Sequence, residues 1–204
     1  MVKQWRYTNE FNGVAKFMLF LSSYAPLFFL IGFKQIYTNR LFLHWGGFSW
    51  DSVSIWFENF ALATVLIIVA LVGIFGVILI FRKLSKDSVN GNNVTVVSVG
   101  NKNSESIGYI ATYIVPFLFE NFNSMYELIA LSILLLIIYN IYVNSSLLLV
   151  NPILNFNYSI YEITYKLGDK ERTGLLISKK CHMIYEEDKI KIYEIGYKLY
   201  YKNN

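Results

Sequence analysis

The sequence predicts a membrane α-helical protein, four transmembrane helices with a small cytoplasmic β-rich C-terminal domain, on three observations. Residues 60–81 contain no charged side chain, three further apolar stretches surround that run, and from residue 153 onward the chain becomes polar and alternating. A bilayer core offers the backbone no hydrogen-bond partner, so a run this long and apolar is stable there as a helix that satisfies its own peptide groups. Composition agrees. Of 204 residues 55% are hydrophobic and only 16% charged, where a soluble domain carries roughly a quarter.

The N-terminal stretch to Lys16 is polar, with Trp5, Tyr7 and Phe11 spaced for an interfacial piece. Span one follows at about residues 14–37. Lys16 and Lys34 mark its ends, where long stems snorkel to the headgroups. Pro26 removes one backbone donor and is expected to kink it. No signal peptide is expected, because the apolar stretch 17–33 outruns a signal core and ends at Lys34 without a small-x-small cleavage pattern. The loop 38–55 holds His44-Trp45-Gly46-Gly47-Phe48-Ser49-Trp50, an interfacial turn resting on the membrane surface. His44 has no second ligand at metal spacing and reads as a loop residue.

Span two, about 56–81, is the clearest. At ~1.5 Å per residue its uncharged part covers the ~30 Å hydrocarbon core. Ala70, Gly73 and Gly76 place small residues where another helix can approach. Arg82, Lys83 and Lys86 follow directly, opening a cytoplasmic loop 82–105 in which Val94 to Val99 reads as a short strand. Span three is expected at about 106–122 and span four at about 125–146. Asn140, Asn144 and Ser145 make the second half of span four polar, as candidate interhelical or pore-lining groups. Asn151-Pro152 stops that helix.

The remainder, 151–204, is read as a cytoplasmic β-rich domain. Tyr158 to Leu167 alternates, Gly168-Asp169-Lys170 turns the chain, and Arg172 to Ser178 returns as a hairpin partner. A strand near Met183 to Glu186 and another over Lys189 to Tyr201 complete about four strands, which the loop strand can join. So small a sheet is marginal alone and needs docking on the membrane part or on other copies.

Lys and Arg alternate along the chain: rich before span one, poor in the first loop, rich in the second, absent between spans three and four, rich again in the tail. Four crossings with both termini cytoplasmic in a cell inner membrane satisfy that pattern. The net charge of +4 then serves orientation and anionic lipid; no direct nucleic-acid binding is expected.

Chemistry-bearing constellations are scarce. No ionisable group sits mid-span, which disfavours a proton relay or ion-coupled pump. Cys181 is the single cysteine, so neither an intrachain disulfide nor a cysteine-rich zinc site is expected. His182 beside it, with Glu186 and Glu187 nearby, does not make a thiol site, since neighbours on a strand point to opposite faces. No catalytic residue, cofactor or metal ligand is assigned. The distinctive string is Tyr109-Ile110-Ala111-Thr112-Tyr113-Ile114-Val115-Pro116-Phe117, in which Tyr109, Thr112 and Tyr113 share a helical side before Pro116: a candidate hinge or polar seam.

That string, then Asn151-Pro152-Ile153-Leu154, then Tyr158-Ser159-Ile160-Tyr161-Glu162-Ile163 together resemble the KwaA family, the membrane subunit of the Kiwa anti-phage defence system of bacteria. The resemblance covers most of residues 106–178. It implies a homo-oligomeric inner-membrane protein that detects phage at the envelope and acts through KwaB, a cytoplasmic DNA-binding partner; it implies no catalytic residues. The expectation is a non-enzymatic sensor and scaffold whose β module holds the partner. The alternative is a small oligomeric channel or pore-forming effector, with Asn140, Asn144 and Ser145 lining the pore.

Overall fold

In a computed structural model of the chain, residues 11–43, 47–102, 125–144, 151, 153–168, 170–180, 183–196 and 198–202 are described. Helix α1 spans Gly13–Thr38 and α2 spans Trp50–Asp87. Strand β1 covers Asn92–Asn101. Helix α3 (Met125–Asn144) and the single turn α4 (Leu154–Asn157) lead to β2 (Tyr158–Leu167), β3 (Lys170–Lys179), β4 (Lys189–Gly196) and β5 (Leu199–Lys202).

Helix α2 begins at a conventional N-cap: the Ser49 hydroxyl accepts from the Ser52 amide at 3.2 Å, with Asp51 in the first turn. Its large apolar side chains face outward on much of its surface, Phe57, Val65, Ile68, Leu71, Phe75 and Leu79 among them. Water tolerates no such contiguous patch, whereas lipid does. Helix α1 runs unbroken through Pro26, so the expected kink is not a break. It packs antiparallel on α2, and both are long and apolar enough to cross a membrane. The pair places the chain in association with one.

The four-span fold class is corrected here. Among the described residues two helices, not four, are long and apolar enough to cross. The apolar stretch of α3 is Ile129–Ile141, which at ~1.5 Å per residue covers about 20 Å against a ~30 Å core. The expected span three lies outside the described residues. The β part is corrected too. It is a five-stranded sheet closed into a barrel in the order β1-β2-β3-β5-β4, and its first strand comes from the loop between helices rather than from the C-terminal segment.

All neighbouring strands pair antiparallel except β3 with β5, which are parallel. This order with that one parallel pair is the OB-type arrangement of a small Greek-key barrel. Alternation along the strands makes two cores. Leu176 and Tyr200 point into the barrel with Val94, Val96, Ile163, Tyr165, Ile190 and Ile192. Their neighbours Ile177 and Tyr201 belong instead to the core of the membrane helices. Strands β3 and β5 are therefore buried on both faces, which is why Leu175-Leu176-Ile177 is continuously apolar instead of alternating.

Candidate functional site at the helix–barrel junction

Two sets of residues join the membrane helices to the barrel. The first is polar. Asn151 is fully buried, at 0% exposure. Its Nδ2 donates to the Leu19 carbonyl at 3.2 Å and to Ser22 Oγ at 2.7 Å, both on α1. Its Oδ1 accepts from the amides of Ile153 at 3.0 Å and Leu154 at 3.4 Å, so it also caps the turn that enters β2. Most buried polar groups are partnered. Here one amide satisfies the end of one segment and ties it to the middle of α1.

The second set is aromatic. Phe81, the last residue of the uncharged run, lies 4.4 Å from the Tyr158 ring and 6.0 Å from the Tyr201 ring, centroid to centroid. These offset and edge contacts add to what burial alone contributes. Leu84, Leu154, Ile177 and Ile195 close the same apolar layer. Beyond it, Lys191 Nζ donates to the Val89 carbonyl after α2, and Gly91 sits where a Cβ would come 2.5 Å from the Ile192 carbonyl oxygen. The helix thus passes into β1 through a short turn that leaves no room for a side chain at Gly91.

Burial, and then its neighbour Tyr201, pushes the Tyr158 hydroxyl up to about 12. Burial raises Tyr201 as well, and inside the barrel it raises Tyr200, whose hydroxyl receives the Tyr165 hydrogen bond at 2.8 Å. All three stay neutral at physiological pH. Among the described residues no group of His, Cys, Asp and Glu that could hold a metal ion occurs.

The residues singled out from sequence fall mostly elsewhere. Tyr109, Thr112, Tyr113 and Pro116 lie outside the described residues, as do His44, Ser145, Cys181 and His182. Asn140 is exposed on α3 and does not join the Asn151 cluster, and Asn144 is the last described residue of that helix. Asn151 reads in the sequence as a helix stop, which falls on a stretch outside the described residues, and not as a bridge, because its partners Leu19 and Ser22 are far away in sequence. Gly73 and Gly76, readable as small residues, do seat α1: a Cβ on Gly73 would lie 2.7 Å from Leu21 Cβ and one on Gly76 2.7 Å from Met18 Cγ.

A family model described as Anti-phage protein KwaA matches residues 15–201 of the chain, a range that takes in both long helices and nearly the whole barrel. No curated protein and no solved structure matches it.

Proposed function

The chain belongs to the KwaA family of anti-phage proteins, and from that premise we propose a non-enzymatic sensor and scaffold of the bacterial inner membrane. Its role in defence against phage comes with the family. In this reading the helix pair anchors the protein, and the N-terminus and the barrel share the cytoplasmic side. Arg82, Lys83 and Lys86, directly beyond Phe81, support that orientation. The barrel recruits a cytoplasmic DNA-binding partner of the KwaB kind, and copies of the chain associate in the membrane.

One observation carries the reading: the apolar core of α1 and α2 continues into the outer face of β3, β4 and β5 without a linker. Packed cores are bistable rather than soft, so a displacement of the helix pair is delivered to the barrel instead of being absorbed. Four of the five strands come from the tail, so removing residues 153–204 removes the barrel. Detergent-solubilised full-length protein is expected to co-purify with its partner, and the truncated chain to lose both the partner and phage protection. A truncated, membrane-inserted chain that kept both would overturn the proposal.

A channel is the second reading, and Asn140 is what favours it. This amide is exposed on α3 beside the outward Leu136, Ile137 and Ile141, where lipid offers it no partner. Ion conductance across planar bilayers, lost on Asn140→Leu, would support a pore; a silent bilayer under tension and voltage would remove it.

A further inference from the structure

The elbow between α2 and the barrel gathers positive charge at one depth. Arg82, Lys83 and Lys86 follow Phe81 on the same helix. At ~1.5 Å per residue they lie within about 8 Å of the end of the uncharged run, which is roughly the thickness of one headgroup layer. The barrel reaches the same level, because Tyr158 and Tyr201 pack on Phe81 itself. Lys179 stands directly across the sheet from Tyr158. The Lys180 amide donates to the Asn157 carbonyl at 3.1 Å. Lys202 follows Tyr201 and is in register with Ser178.

We propose that these six residues form a binding site for the phosphates of anionic phospholipid headgroups, so that the barrel is held against the bilayer by lipid charge as well as by packing. The placement follows from the two depths. A barrel resting on the final apolar residue of a spanning helix has no water gap between itself and the headgroups. Arg82, Lys83, Lys86 and Lys180 are exposed, while Lys179 and Lys202 are half-buried. Among the described residues none of the six is joined to a carboxylate. Lys102, nearby, differs: it is held 3.4 Å from Glu162 and is left out of the site. Asp87 ends α2 and reduces the local charge without cancelling it. Tyr158 and Tyr201 complete an interfacial pattern, rings toward the apolar layer and basic groups beside them.

The inference rests on the membrane placement above, and alkaline carbonate extraction tests that placement separately. For the site, the full-length protein is reconstituted in phosphatidylcholine vesicles containing trace spin-labelled phosphatidylglycerol or spin-labelled phosphatidylcholine. Electron paramagnetic resonance then gives the share of each label immobilised by the protein. A several-fold preference for phosphatidylglycerol is expected, shrinking with added salt. It should fall toward one in Lys179→Gln/Lys180→Gln/Lys202→Gln and, independently, in Arg82→Gln/Lys83→Gln/Lys86→Gln. Equal immobilisation of the two lipids by the wild-type protein, or a preference indifferent to salt, would sink the proposal without any variant. So would binding of duplex DNA that depends on the same six residues and is unaffected by anionic vesicles, since the cluster would then serve nucleic acid.

Discussion

Asn151 has both of its amide atoms engaged and no solvent contact. Replacing it by Ala removes a donor from the Leu19 carbonyl and the Ser22 hydroxyl, which keep their own hydrogen bond at 2.8 Å, and leaves the Ile153 and Leu154 amides to find other partners. A loss of about 1–3 kcal/mol is expected, read as a lowered thermal midpoint of the purified protein and reduced phage protection. Asn151→Asp is expected to be worse, because a carboxylate accepts but cannot donate to the Leu19 carbonyl, and a charge would be buried. An Asn151→Ala protein with the wild-type midpoint would show that the bridge is dispensable. In the sequence this residue announced only a local event, the end of a helix before Pro152. Its second role depends on α1, and no short-range pattern encodes a partner so distant along the chain.

At the level of elements, the α1–α2 pair depends on the absence of side chains at two positions. A Cβ on Gly73 would meet Leu21 Cβ at 2.7 Å and the Ser22 amide nitrogen at 2.8 Å. The second of these is backbone and cannot turn away. Gly73→Val is therefore expected to push the helices apart and cost about 1–3 kcal/mol. Gly13→Ala, where an added Cβ meets nothing within 4 Å, is the matched control. Protease resistance of the two variants in detergent, compared with the wild type, measures the difference; equal resistance would refute it. The long apolar run and its small residues were readable because a membrane helix is selected by composition over a single continuous window. Helix α3 misled for the same reason. Within its described residues the apolar stretch is Ile129–Ile141, shorter than a crossing needs.

The described residues form two cores sharing a wall. Strands β3 and β5 are buried on one face in the barrel and on the other against the membrane helices, so neither part is expected to unfold alone. Its tyrosines predict how it responds to alkali. Tyr158 ionises at about 12 instead of 10.0, and Tyr200 and Tyr201 shift in the same direction. A folded-state value above the unfolded one means the contribution is complete below pH 10.0 and is lost as pH rises from there through about 12. Stability should be flat through the neutral range and fall together with the appearance of tyrosinate absorbance. A transition between pH 5 and 8 would point instead to another titrating group. Gly174 belongs to this scale as well. A side chain there would meet the Tyr200 ring at 2.6 Å and the Lys198 carbonyl oxygen at 2.7 Å, where the parallel β3–β5 pair comes together.

By itself the sequence determined that the chain carries a helix long and apolar enough to enter a membrane, that strands follow, and that charge gathers just beyond residue 81. Each of these is written in local composition or in a period of two, and needs no knowledge of partners. Only the tertiary structure decided that, among the described residues, two helices rather than four are long and apolar enough to cross, that a loop strand and the tail close one barrel, and that Asn151, Phe81 and Tyr201 hold the two parts together. Those outcomes depend on contacts between residues far apart in the chain. Burial on both faces also removes the alternation by which such strands are recognised.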